Sequence, residues 1–261
     1  MYKRLPYYLI LSLAVLCIVS VPAALPQVKG AVVQSHEYDA TNNIVTAYIV
    51  NTSGKNITAY NISIKETYAD GHVNSHELMA DTSGVLAVLQ EIQGTADEDN
   101  FRKQSGEGLL HPGASRKEII GVQPGLQNFE AVIDVVAYAD QTAEATNDDG
   151  LQRLVSHRKG SLTSRQVAND IIKGALADPK DPDPAATAAQ KILDRVAVWK
   201  AQKHTTIDFE PGEAEGIVNE LKVMSSRQLT DKREVLTQYL AKSEKRIATL
   251  SPHAFLTKTG E

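Results

Sequence analysis

The chain has 261 residues, of which 42% are hydrophobic and 23% are charged, with 27 Lys and Arg against 32 Asp and Glu. This composition is that of an ordinary soluble globular protein, and it excludes collagen-like, disulfide-rich, wholly disordered and polytopic membrane proteins. The acidic balance provides no attraction to nucleic acid. The single cysteine, Cys17, excludes a disulfide within the chain and a zinc site built from thiolates.

The N-terminus has the pattern of a secretory signal peptide. Lys3 and Arg4 precede an apolar run at residues 9–21, and the small residues of Pro22-Ala23-Ala24 follow it. A basic start, a short apolar core and small residues at its end are typical of such signals. We therefore expect residues 1–24 to be a signal peptide cleaved near Ala23, and the mature protein to be periplasmic or secreted. An uncleaved N-terminal membrane anchor is the alternative, although the run is shorter than the ~20 residues of a spanning helix.

Residues 31–145 are predicted to form an antiparallel β-sandwich. Short runs rich in Val, Ile, Thr and Tyr alternate there with Gly, Asn, Asp and Pro. In the run 57–68, alternation places Thr58, Tyr60, Ile62 and Ile64 on the core face, and Asp70-Gly71 then provides a tight turn. We predict six to eight strands, among them residues 44–50, 57–68, 116–122 and 129–139.

Two stretches inside this region have other predictions. Residues 85–92 form an apolar run that is too short to distinguish a strand from a buried helix. Residues 94–108 are acidic and contain glycine, and they are predicted to be a long exposed loop.

Three groups of turn residues carry a resemblance to a known family. They are Val50-Asn51-Thr52-Ser53-Gly54-Lys55-Asn56-Ile57-Thr58-Ala59-Tyr60, Tyr68-Ala69-Asp70-Gly71 and Leu110-His111-Pro112-Gly113-Ala114-Ser115. This set resembles the small immunoglobulin-like modules of bacterial exported proteins, such as the FxLYD type. The chain departs from that pattern by having Tyr-Ala-Asp instead of Leu-Tyr-Asp, and by a long insertion at residues 72–109. The resemblance implies an immunoglobulin-like fold and a binding or spacer module, and it supplies no catalytic residues.

Residues 147–258 are predicted to be an α-helical region, which makes the whole chain α+β in two parts. Asp148-Asp149-Gly150 can cap a first helix and Ser164 a second, while the Pro-rich residues 178–184 form a linker. Further helices are predicted to begin at Pro184, at Pro211 and near Thr230-Asp231. Their amphipathic faces either form a bundle or pack on the sandwich.

His72 and His76 are the nearest approach to a metal pair. Histidines four residues apart share one face of a helix, but this segment lies in β-rich sequence, where such residues are about 13 Å apart. We predict an exposed polar loop here and no metal site, no catalytic residue and no cofactor. Asp97-Glu98-Asp99-Asn100 lacks the spacing of a calcium-binding loop.

The sequence thus predicts an exported, non-enzymatic protein that has a binding or structural role in the cell envelope. Its partner would be a protein or an envelope component, with membrane contact only if the N-terminal segment stays uncleaved. The alternative is an exported hydrolase or metal-dependent enzyme whose site forms only in the fold. That alternative requires a pocket that gathers at least two of the residues His72, His76, Asp81 and His111 with nearby acids.

Overall fold

A computed structural model describes residues 26–92, 109–202, 209–227 and 231–259. The proposed signal peptide and the acidic stretch 94–108, with its Asp97-Glu98-Asp99-Asn100 run, lie outside these residues. Within the described ranges the chain is α+β, with eight strands and five helices. None of the helices in those ranges is long and apolar enough to cross a membrane.

The strands form two sheets. The first sheet has three antiparallel strands in the order β1-β2-β5, and the second has five in the order β4-β3-β6-β7-β8. The last strand, β8, runs parallel to β7, whereas the other neighbours are antiparallel. The strands are β1 (Ala31–Asp39), β2 (Ile44–Asn51), β3 (Ile57–Tyr68), β4 (Val73–Asp81), β5 (Ser115–Gly121), β6 (Leu126–Tyr138), β7 (Thr142–Ala145) and β8 (Thr257–Lys258).

One apolar core is shared by the two sheets. Ile49 of the first sheet is buried in the same cluster as Tyr60, Ile62 and Ile64 of the second, so the predicted core face of β3 is confirmed at these three positions. Thr58, the fourth predicted member, is also buried, but its hydroxyl accepts a hydrogen bond from the helical region. The inward-facing residues of β3 are therefore covered by apolar residues from both sheets.

The opposite face of β3 is buried as well, which the alternation did not predict. Ala59 and Asn61 are each only 1% exposed. Ala59 belongs to a second cluster with Val135 of β6 and Leu154, because a helix covers this side of the sheet. The sheet is therefore packed on both faces, with a polar residue, Asn61, on the helix side.

Five helices follow or interrupt the strands. Residues 85–92, for which the sequence did not distinguish a strand from a helix, belong to a helix. The predicted positions of Pro184 and Pro211 at helix starts are confirmed, and Asp231 caps the last helix through the Glu234 N–H. The helices are α1 (Ser83–Ile92), α2 (Asp148–Ala177), α3 (Pro184–Ala201), α4 (Pro211–Ser226) and α5 (Lys232–His253).

The prediction of two helices between residues 148 and 175 is wrong. Helix α2 is continuous over 30 residues, and its N-cap is Asn147, which accepts a hydrogen bond from the Gly150 N–H. Ser164 is a buried residue inside this helix. Its hydroxyl donates to the Glu210 carbonyl at 2.9 Å and accepts from the Glu210 N–H at 2.7 Å. Serine satisfies backbone groups equally well at a cap and between two elements, so its sequence position did not distinguish the two uses.

Helix α2 connects the two parts of the chain. At 1.5 Å per residue it is about 45 Å long. Leu154, near its start, packs on the five-stranded sheet, and Ile172, near its end, belongs to a separate core formed by α2, α3, α4 and α5. Helix α1 also contacts α5. The helices therefore form a bundle with a core of its own and also pack on the sheets.

The Ser164 contact allows a direct test. We expect Ser164→Ala to lower the free energy of unfolding by about 1–2 kcal/mol, because two hydrogen bonds to Glu210 are lost while the Glu210 N–H and carbonyl keep longer bonds to Gly160 and Ala214. Ser226→Ala is the matched control, since Ser226 is exposed and bonds only within its own helix. Urea denaturation of both variants measures the difference, and equal effects would contradict a special role for Ser164.

Candidate functional site

The two histidines considered for metal binding do not lie in one polar loop. His72 lies in the turn after β3, where its ring stacks on Tyr68 at a centroid distance of 6.1 Å. His76 lies inside β4, paired with Ile64 of β3, and its Nε2 is 3.9 Å from Glu66 Oε1. The loop prediction is wrong for His76 because β4 pairs with β3 as a regular edge strand.

A hydrolase or metal-dependent enzyme would require Asp81, His111 and the two histidines in one pocket, but these residues lie in different environments. Asp81 is paired with Arg158, and His111 Nδ1 is 2.9 Å from Asn56 Oδ1. The cavity beside Asp81 gathers His157 and His253 instead of the histidines considered from the sequence. Among the described residues, no group of three or more His, Cys, Asp and Glu side chains could hold a metal ion.

A buried ionic contact joins the sheets to the helices. Arg158 of α2 is 5% exposed, and it binds Asp81 at the end of β4 through two hydrogen bonds, from Nε at 2.8 Å and from Nη2 at 3.1 Å. Nη2 also donates to Thr58 Oγ1 at 3.0 Å, and Nη1 donates to the His253 carbonyl at 3.0 Å. One guanidinium group therefore connects β3, β4 and the end of α5 to α2.

The cavity of about 150 Å³ around this contact is polar, but its charges are paired within the protein. Arg165 contacts Glu213 at 2.5 Å, and His157 Nδ1 is 3.3 Å from Glu210 Oε2. Burial and the Arg158 charge lower the pKa of His253, and the Asp81 charge opposes them only in part. The net shift favours the neutral ring. Such pairing of charges within the chain is typical of a contact that holds two parts of a structure together. We call the contact between Arg158 and Asp81 the junction.

The pKa of Asp81 gives the junction a pH dependence. Burial alone would raise that pKa, but the Arg158 charge and the hydrogen bonds from Arg158 and Ser83 outweigh it, so the pKa lies below its usual value of 3.8. The folded pKa is thus lower than the unfolded one. The contribution to stability is complete above about pH 4 and is lost as the pH falls through the folded value.

We therefore expect wild type and Asp81→Asn to differ most in unfolding free energy at neutral pH. Their difference should shrink below about pH 4, where Asp81 of the unfolded chain becomes protonated. Urea denaturation at several pH values between 2.5 and 7 measures this. A difference that stays constant over that range would show that the Asp81 charge contributes nothing.

A larger opening lies between α4 and α5. This groove has a volume of about 500 Å³. Val223, Met224 and Tyr239 provide its apolar surface; Met224 and Tyr239 also pack against the helical core, whereas Val223 is 49% exposed. The two helices contact one another less than each contacts α2, which leaves the space between them open. We call this opening the α4–α5 groove.

The rim of the α4–α5 groove is positively charged. Arg227, Lys242 and Arg246 line it together with a single acid, Glu220. The whole chain has a formal net charge of −5. The groove is therefore lined by more basic than acidic side chains, and Lys242 and Arg246 already interact with other groups of the chain.

Two polar side chains of the lining face other groups of the protein. Ser243 Oγ donates to the Oδ1 of Asn169, a buried residue of α2, at 2.7 Å, and the Tyr239 hydroxyl is buried beside the Glu220 carboxylate. Burial and the nearby Glu220 carboxylate raise the pKa of Tyr239, so its hydroxyl keeps its proton.

Sequence reasoning did not identify the groove, although part of its pattern is visible. Tyr239 belongs to the apolar stripe of the last helix, and Lys242, Ser243 and Arg246 follow it at helical spacing on the same side. A mixed apolar and basic stripe is, however, common on solvated helices. Only the position of α4 shows that this stripe faces a second helix across a gap.

Comparisons with known proteins add little to this geometry. No family model matches the chain, and no curated protein matches it. A solved structure of a hypothetical protein from Peptoclostridium difficile 630 is similar over 48% of this chain and 90% of that chain, with 13% identity and a TM-score of 0.29. A similarity this low gives no information on the family or the activity of this chain.

Proposed function

We propose that this protein is an exported, non-enzymatic binding protein of the cell envelope. In this proposal an immunoglobulin-like β-sandwich positions a helical region whose α4–α5 groove holds a protein partner. The observation that carries the proposal is the groove itself, which combines the half-exposed Val223 and neighbouring apolar side chains with a polar and charged rim. Exposed apolar patches with a polar rim are typical of interaction sites.

The contrast between the two openings supports binding at the groove. Around Arg158 each charge meets an opposite charge of the same chain, so little is gained by bringing in a ligand. The groove instead has apolar residues that are not fully covered, of which Val223 is 49% exposed. A partner that covers Val223 would stabilise this surface.

Two features of the sequence support the remaining parts of the proposal. The N-terminal pattern supports export, and N-terminal sequencing of the mature protein should give a start near Ala24. The turn residues and the core shared by the two sheets support an immunoglobulin-like module. Such a module serves as a spacer or as a second contact surface.

Photo-crosslinking in the producing cells tests binding at the groove. A photoreactive amino acid replaces Val223 in the groove or, as a matched control, Val198 on α3, which is 50% exposed and lies outside the groove lining. We expect position 223 to form a discrete adduct whose partner is identified by mass spectrometry, and position 198 to form none. Equal adducts at both positions, or none at 223, would contradict the proposal.

A further inference from the structure

We propose that the C-terminal end of the described chain is a pH-sensitive latch, in which protonation of His253 releases residues 254–259 from the five-stranded sheet. We call residues 254–259 the C-terminal strap. The latch is separate from the α4–α5 groove, so it does not depend on the proposed binding function.

The C-terminal strap is joined to the sheet by a strand of two residues. These residues, Thr257 and Lys258, form β8, and both are exposed. The Thr257 N–H donates to the Gln141 carbonyl at 2.9 Å, and the Thr259 N–H donates to the Ala143 carbonyl at 2.7 Å. A short strand with exposed backbone hydrogen bonds opens more easily than the rest of a protein.

The start of the C-terminal strap is fixed at the end of α5. There Arg158 Nη1 donates to the His253 carbonyl at 3.0 Å, and the next residue, Ala254, is only 1% exposed. The strap is thus attached both beside the junction and at β7. A change in the last turn of α5 therefore acts directly on the first of these attachments.

The ring of His253 lies where an added proton is unfavourable. Its Nδ1 is buried and has no hydrogen-bond partner among the described residues, so a second N–H group on the ring would leave a buried donor without an acceptor. The charge of Arg158 also repels a second cation. The C-terminus of a helix usually favours a cation, but Arg158 already holds that position at the end of α5.

The other charged groups around His253 do not reverse this preference. Asp81 of β4 attracts a proton to the ring, but its carboxylate is already paired with Arg158 through two hydrogen bonds. Burial and the Arg158 charge therefore keep the pKa of His253 below its usual value of 6.5. The remaining charges of the cavity, on α2 and at the start of α4, form pairs of their own: His157 with Glu210 and Arg165 with Glu213.

The lowered pKa of His253 sets the direction of the response. When the last turn of α5 frays, the ring enters water and its pKa returns to about 6.5. The open state therefore binds a proton at a higher pH than the closed state does. The closed strap is most stable above about pH 6.5, and it loses stability as the pH falls from there to the lower pKa of the closed state.

Hydrogen exchange of the full chain, followed by mass spectrometry, tests the latch. Exchange of the strap peptide is measured at pH 7.5, 6.5 and 5.5 and is corrected for the intrinsic pH dependence of amide exchange. We expect the corrected exchange to be at least about threefold faster at pH 5.5 than at pH 7.5. Peptides from α3 should keep their protection, because the rest of the chain stays folded.

Variants at two histidines of the same cavity assign the response. His253→Gln cannot gain a charge, so its strap should exchange equally at the three pH values. His253→Lys is charged throughout, and its strap should exchange at pH 7.5 at least as fast as that of the wild type at pH 5.5. His157→Gln is the matched control, since it removes the other histidine of the cavity and should keep the response of the wild type.

A titration of the wild type by nuclear magnetic resonance does not depend on how the variants fold. The His253 ring and the amide groups of Thr257 and Thr259 should change over the same pH range. Different ranges, or a pH response that persists in His253→Gln, would overturn the latch. Loss of the response in His157→Gln would assign it instead to the contact with Glu210. Exchange of the wild-type strap that is independent of pH would remove the proposal.

Discussion

Replacing Arg158 with alanine should lower the free energy of unfolding by about 3–5 kcal/mol, the usual cost of removing one partner of a buried ion pair. The change leaves the Asp81 carboxylate without its two hydrogen bonds from the guanidinium group. It also removes the donors to Thr58 and to the His253 carbonyl. The loss is large because the Asp81 side chain is only 9% exposed and would keep its charge without a counter-ion.

A second arginine on the same helix provides the control. Arg153 contacts Glu77 at 2.6 Å, but its side chain is 45% exposed. Exposed ion pairs contribute about 0–1 kcal/mol, so Arg153→Ala should have a small effect. Replacing both buried partners, as in Arg158→Met with Asp81→Leu, should cost less than Arg158→Ala alone, because no charge is left buried. Equal losses in the two single alanine variants, measured by urea denaturation, would show that burial of Arg158 is unimportant.

The second large effect is expected at Gly30, just before β1. A Cβ atom at this position would lie 1.8 Å from the Tyr138 Oη and 3.0 Å from its Cζ. Tyr138 is buried and its hydroxyl donates to Glu144 Oε1 at 2.6 Å, so it cannot easily move aside. We expect Gly30→Ala to cost about 1–3 kcal/mol, as overpacked sites do. The substitution would also pull the Gly30 N–H from Glu144 Oε2, which it reaches at 3.0 Å.

Thermal or urea unfolding of Gly30→Ala, Gly54→Ala, Tyr138→Phe and the double variant Gly30→Ala with Tyr138→Phe separates the steric cause from a general effect of losing glycine. Gly54→Ala should be close to neutral, since nothing lies within 4 Å of the added Cβ atom. Tyr138→Phe should make the Gly30→Ala substitution less costly, because it removes the nearest clashing atom. Full additivity of the Gly30 and Tyr138 changes would contradict this account.

The elements that the sequence predicted well are those with local chemical signals. Turn glycines such as Gly71, at a φ of 83°, and N-terminal prolines such as Pro184 act on their own backbone, so they mark element boundaries directly. Ser164 misled the prediction because its partner, Glu210, is remote in the sequence. The burial of both faces of β3 was missed for a similar reason, since the helix that covers Ala59 comes about 90 residues later in the chain.

The candidate site was less predictable than the fold. Arg158 is one of several arginines in a polar helix, and only the packing of α2 on the sheet brings it to Asp81. The α4–α5 groove depends on a gap between two helices, which hydrophobic periodicity does not encode. His72 and His76 were considered as metal ligands because of their residue type. The structure places His72 beside Tyr68 and His76 beside Glu66, and not beside one another.

The pairing of β8 with β7 has a consequence for synthesis on the ribosome. Thr257 pairs with Thr142, so the whole helical region lies in the chain between two adjacent strands of one sheet. The five-stranded sheet is therefore complete only after that region has left the ribosome and folded. Until then the edge of β7 is uncovered, and an uncovered strand edge is a site at which nascent chains associate wrongly.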